Sequence, residues 1–173
     1  MRAGRFFLAL IFLGGLILGV AAPAQAWWYH ATRRAAAKNI MAQGVNPAKF
    51  RGSSRFGPGL YLSRRAGTAR AEKGAGSTVL RFQGSRELER RTLDLRRPTT
   101  QTLRAHVGGM DLRGTVKKGV IGPKLGRQLG RQAAAHGQAI QFRSAKNGGS
   151  NLVIPKGTLR QRPHLIRPVG RLE

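Results

Sequence analysis

The run Arg55-Phe56-Gly57-Pro58-Gly59-Leu60-Tyr61-Leu62-Ser63 sets a glycine–proline turn directly against a short alternating stretch. On a strand, Leu60 and Leu62 share one face and Tyr61 points from the other. If the leucines face a core, Tyr61 faces a cleft, and Gly59 lets a ligand approach the backbone just before it. The same spacing also suits a hairpin strand whose tyrosine only packs. Glu72 follows eleven residues after Tyr61 and stands out because the chain holds only 6 acidic residues. His30, in Trp28-Tyr29-His30-Ala31-Thr32, and Ser144, in Phe142-Arg143-Ser144-Ala145-Lys146-Asn147-Gly148-Gly149-Ser150-Asn151-Leu152, complete the polar set. Several other chemistries lack their residues. The 4 histidines are scattered and cysteine is absent, so no zinc-ligand spacing occurs. There is no phosphate-loop order around Gly119–Gly126 and no Gly-x-Ser-x-Gly elbow. A two-carboxylate glycosidase has nothing to support it among Glu72, Glu87, Glu89, Asp94 and Asp111.

The elements that must position these groups are short. Residues 32–43 read as a helix: Thr32 can cap it, Ala35-Ala36-Ala37 favour it, and Ala36 and Ile40 share a face. Gly44 ends it, and Asn46-Pro47 turns the chain away. A loop over 48–59 leads into the Tyr61 strand. A second helix is expected over 64–73, strands over 78–82 and 92–95, and a short helix from 98. The glycine-rich 108–123 reads as loop with a strand around Val116. Residues 124–136 read as a helix carrying Leu125, Leu129 and Ala133 on one face. Gly126 and Gly130 weaken it by about 1 kcal/mol each, and would let it lie close against a sheet. Strands over 139–142 and 152–154 flank the Ser144 loop. From Pro155 onward, prolines and basic residues predict an irregular, peripheral tail. The order is helix, strand, helix, strand, strand, helix, helix, strand, strand. It predicts an α+β domain with mostly antiparallel strands.

Composition bounds where such a domain works. The chain has 173 residues, room for one domain. Met1-Arg2-Ala3-Gly4-Arg5, the apolar run 6–20 and Ala24-Gln25-Ala26 form the three parts of a secretory signal peptide over 1–26. Cleavage would leave a secreted or periplasmic protein beginning at Trp27; without cleavage the segment would anchor it to a membrane. Residues 27–155 are then the domain and 156–173 the basic tail. With 32 basic residues against 6 acidic, the net charge is +26. That excess predicts salt-sensitive attraction to nucleic acid, anionic lipid or an acidic partner protein of the immunity type.

Three segments in this order resemble the ADP-ribosyltransferase superfamily. Tyr29-His30-x-Thr32, a helix ending at Gly44 and Phe56-Gly57-x-Gly59-Leu60-Tyr61-Leu62-Ser63 are similar to the His-Tyr branch of bacterial toxin domains. The Leu-Tyr-Leu-Ser to Glu72 spacing and Ser144-Ala145-x-x-Gly148-Gly149-x-Asn151-Leu152 are similar to the RES-domain branch of NAD-consuming toxins. The likeness spans 28–154. It implies a split antiparallel β-sheet with NAD, as substrate, in its cleft and no metal. It implies that Tyr61 stacks on the nicotinamide and that His30 bonds a ribose hydroxyl or the carboxamide. Arg55 would hold the pyrophosphate, and Ser144 the nicotinamide ribose or carboxamide. Glu72 would stabilise the oxocarbenium-like state as nicotinamide leaves. His30 stands where the RES branch carries arginine, and Gln141 or Ser144 where the other branch carries glutamate. The resemblance therefore implies NAD cleavage by a glycohydrolase or an ADP-ribosyltransferase. Two further readings remain open: a catalytically degenerate basic module that binds polyanions, and phosphate-ester or RNA chemistry at His30.

Overall fold

A computed structural model describes residues 26–172 except 53, 108–111, 113, 114 and 118. The expected signal peptide therefore lies, but for Ala26, outside the described residues, as does Asp111. In chain order the elements are β1 (Trp27–Thr32), α1 (Arg34–Gln43), β2 (Gly59–Ser63), α2 (Ala66–Lys73) and β3 (Thr78–Gly84). There follow α3 (Arg86–Arg90), β4 (Thr92–Leu95), α4 (Thr100–Val107), β5 (Val116–Lys117) and β6 (Val120–Ile121). The chain closes with α5 (Pro123–Ala135), β7 (Ala139–Arg143), β8 (Ser150–Pro155), α6 (Lys156–Gln161) and β9 (Ile166–Leu172).

Seven strands make one sheet in the order β4-β7-β8-β2-β1-β3-β9. Only β4 and β7 run parallel; every other neighbouring pair is antiparallel. The fold is mixed α+β with a large, mostly antiparallel sheet. Alternation along the strands loads both faces. Leu60 and Leu62 of β2, Leu152 and Ile154 of β8, and Leu80 and Phe82 of β3 join Trp28 in one core beneath α1, α3 and α6. Each such buried side chain contributes about 2 kcal/mol. Val153, Ile140 and Phe142 face the opposite way, against Leu103 of α4 and Leu125 and Leu129 of α5, with Tyr61 at the margin. A smaller cluster of Ala31, Val79 and Ala69 holds α2 on the other half of that face.

The two halves of the sheet meet weakly. β1 pairs with β3 over six residues and β2 with β8 over five, yet β1 and β2 pair only at Tyr29↔Ser63. The sheet is split there.

The chain's last segment overturns the expectation of an irregular tail. Lys156–Gln161 is helical and Ile166–Leu172 is the edge strand beside β3. Thr158, Leu159, Leu165 and Ile166 are buried, and that burial orders the segment. Pro168 is tolerated because it lies on an edge strand, where the register shifts opposite Arg81 and Phe82. A strand also precedes the first helix, so Thr32 ends β1 and does not cap α1; Arg33 occupies that position with no side-chain cap.

Candidate active site

A cavity of about 930 Å³ opens where β1 and β2 part. That volume lies within the range of small-molecule sites. His30, Arg55, Gly59, Tyr61, Glu72 and Ser144 all line it. Residues up to 114 positions apart in sequence thus converge on one hollow, because the split leaves the strand ends of both half-sheets facing it.

His30 projects from β1, and its Nδ1 lies 2.8 Å from the Tyr61 carbonyl oxygen. A carbonyl can only accept, so Nδ1 carries the proton and the neutral ring keeps its lone pair on Nε2. Burial pushes the His30 pKa below 6.5; the carbonyl bond opposes this, and the Lys73 charge adds to the lowering. His30 is therefore a neutral hydrogen-bond acceptor at the split. It also bridges the halves where the ladder between β1 and β2 is missing.

Tyr61 lines the cavity, and its hydroxyl is engaged by the turn before β2. The hydroxyl donates to the Gly57 carbonyl at 2.9 Å and accepts the Phe56 N–H at 3.0 Å. Burial raises its pKa above 10, so it stays protonated. The ring meets Phe142 edge-on at 6.3 Å. Tyr61 thus closes the turn that carries Arg55. That turn also rests on α5: a Cβ on Gly126 would lie 2.5 Å from the Arg55 carbonyl oxygen, and one on Gly130 would collide with the Phe56 carbonyl. The glycines of α5 bring it against the turn and not only against the sheet. Arg55 Nη1 lies 3.4 Å from the Arg143 carbonyl oxygen, and its guanidinium sits 5.7 Å over the Phe142 ring. Gly59 has a different cause from the one its position suggests. A Cβ there would lie 2.6 Å from the Ile154 carbonyl oxygen, so the glycine admits strand β8.

Glu72 sits in the last turn of α2, one residue before Lys73 ends the helix. The Ser144 hydroxyl donates to its Oε1, and Asn151 Nδ2 reaches the same oxygen at 3.2 Å. Ser63 Oγ in turn donates to Asn151 Oδ1 at 2.7 Å. Ser144 accepts the Lys146 N–H at 3.1 Å, so its single proton is committed to Glu72. Oε2 of Glu72 has no protein partner among the described residues. Ser144, Asn151 and Ser63 are 2%, 6% and 3% exposed, a buried polar chain behind one carboxylate.

Sequence reading missed Ser63 and Asn151 as part of this set. Both stand in the motifs that carried the resemblance, and Ser63 shares a strand face with Tyr61, which was the available signal. It also missed the cavity's charge. Arg33, Lys49, Arg51, Lys73 and Lys146 line it with Arg55, against Glu72 as the one carboxylate among the described residues. The balance suits an anionic ligand with a cationic reacting end. Among the described residues, no group of three His, Cys, Asp or Glu side chains could hold a metal ion, and no helix is long and apolar enough to cross a membrane.

A protein-family model described as the RES domain matches residues 26–169. The chain belongs to the RES domain family. It is thereby a member of the ADP-ribosyltransferase-like superfamily, and NAD is the substrate that RES toxins consume. The matched span runs past α6 into β9 and ends at residue 169 of that strand. No curated protein matches the sequence. Among solved structures, the chain is similar to the M. tuberculosis MbcT toxin in the crystal structure of the MbcT–MbcA toxin–antitoxin complex. Identity is 17%, the TM-score is 0.47, and the match covers 86% of this chain and 83% of that one.

Proposed function

We propose that this RES domain is an exported, toxin-like enzyme that cleaves the nicotinamide–ribose bond of NAD. The observation that carries the reading is the half-free carboxylate of Glu72 at a cation-lined cavity in the sheet split. In the reaction the C1′–N bond breaks, and its electron pair stays on the nicotinamide nitrogen, which loses its positive charge. Positive charge grows on C1′ and its ring oxygen, and Glu72 Oε2 stabilises it. Water adds to C1′ and releases a proton, giving ADP-ribose and nicotinamide; a hydroxyl or amine of a macromolecule in place of water gives ADP-ribosyl transfer. His30 Nε2 accepts from a ribose hydroxyl or the carboxamide N–H. The Tyr61 ring forms the wall beside the pyridinium. Arg55, with its neighbouring cations, balances the pyrophosphate.

Export rests on the leader-like residues 1–26. An acidic immunity-type protein fits the net charge of +26, because it would silence the enzyme in its producer by covering a basic surface. The test is to incubate the mature protein with NAD and follow nicotinamide release. Free ADP-ribose identifies hydrolysis, and ADP-ribose attached to protein identifies transfer. Absence of nicotinamide release would sink the reading. Salt-sensitive binding to nucleic acid or anionic vesicles, without release, would replace it with a non-catalytic module.

A further inference from the structure

Glu72 lies at a helix end. Gly74, its C-cap neighbour, bonds back to Arg70, and the helix has no further turn to stiffen the glutamate. Helix ends fray, and a long side chain there loses rotamer freedom only if something else holds it. What holds it comes from the sheet and from the loop after β7, where Lys146 Nζ donates to the Glu72 backbone carbonyl at 3.0 Å. Ser63 is the one residue of β2 that pairs with both neighbours, Tyr29 on β1 and Asn151 on β8. It therefore sits at the junction of the half-sheets, and its hydroxyl bonds Asn151 Oδ1. A hydroxyl donating to Oδ1 decides which way the amide faces, because Nδ2 must then point to Glu72. Ser144 supplies the second donor to Oε1.

Resting on the reading of Glu72 as the reactive carboxylate, we infer that Ser63 and Asn151 are positioning residues for it. They hold Oε1 from the sheet junction so that Oε2 is presented to the substrate. The relay is built of neutral donors. It orients the carboxylate without neutralising it, as an arginine in the same place would. It also ties the geometry of the reacting group to the single rung that joins β1 to β2.

Asn151→Asp keeps the shape of the side chain and replaces a donor with a like charge beside Glu72. Two carboxylates at that separation share a proton, so the acidic limb of the kcat profile moves to higher pH. Ser63→Ala frees the amide to turn. It lowers kcat about tenfold while KM for NAD stays within twofold, and adds little to Asn151→Ala because both act through one bond. An unmoved pH profile in Asn151→Asp, or additive losses in the double variant, overturns the relay. Melting curves confirm that each variant folds. If Ser63→Ala does not, the Asn151→Asp profile decides alone. If the wild type releases no nicotinamide, the NAD-cleaving reading fails. The relay is then decided by carbon-13 titration of the Glu72 carboxyl, which rises in Asn151→Asp if the contact exists and stays in place if it does not.

Discussion

Two of the chain's few carboxylates, Glu72 and Glu87, are held in opposite ways. Glu87 on α3 is gripped by charge. Arg91 and Arg162 meet its Oε1 at 2.7 Å, and His164 meets Oε2 at 2.7 Å. The bonds from His164 and Arg91, with the Arg162 charge, pull its pKa down to about 2. Both oxygens are occupied, so the group braces α3 against the chain's final segment and has nothing left to offer a ligand. Glu72 takes neutral donors on one oxygen and keeps the other. In so basic a chain almost any carboxylate could be neutralised by arginine. The one at the cavity is oriented by a serine and an amide instead, and stays available for a developing cation.

The sharpest way to break that contrast is Glu72→Gln. The amide has the same shape and can still accept from Ser144, but it carries no charge for the oxocarbenium-like state. Nicotinamide release is expected to fall by roughly 10²–10³-fold, with stability changed by less than about 1 kcal/mol. A rate within threefold of wild type would remove Glu72 from the chemistry and leave it a structural residue like Glu87.

Glu87→Gln is the converse and smaller test. It leaves nicotinamide release unchanged and lowers the melting temperature at neutral pH. The folded carboxyl titrates near 2 and the unfolded one near 4.5. Its stabilising contribution is therefore complete above pH 4.5 and is lost as pH falls toward 2. Wild-type and variant melting temperatures should converge across that window. Curves that stay parallel would show that the grip is not electrostatic.

What the sequence discloses follows the range of the forces involved. Tyr61 is legible because a period of two separates it from Leu60 and Leu62, and Glu72 because acidic residues are scarce. The relay is hidden because Ser63 and Asn151 are 88 positions apart and acquire meaning only when β2 pairs with β8. Gly126 and Gly130 announce a close approach, but not that the Arg55–Phe56 backbone is what approaches. The final strand hides for a related reason. Ile166, Pro168, Gly170 and Leu172 alternate with Arg167, Val169 and Arg171, a weak pattern that β3 turns into a strand by lending it a partner.

The finest test of the contrast lies between two histidines. His164 sits against a carboxylate, whereas His30 bonds a carbonyl and is kept neutral by burial and by Lys73. Because the folded pKa of His30 is below 6.5, the unfolded chain binds more protons between that value and 6.5. Protonation thus costs stability as pH falls through this interval. It also removes the Nε2 lone pair, so the acidic limb of kcat/KM should lie below pH 6.5. Lys73→Met deletes the charge that helps hold the ring neutral, and the limb should move upward toward 6.5. The displacement is small because burial, the larger cause, is untouched. A limb that does not respond to Lys73→Met, yet disappears in His30→Gln, would mean that burial alone keeps this histidine neutral. A limb indifferent to both would return His30 to a bridging role between the half-sheets, alongside Glu87 among the residues that only brace the fold.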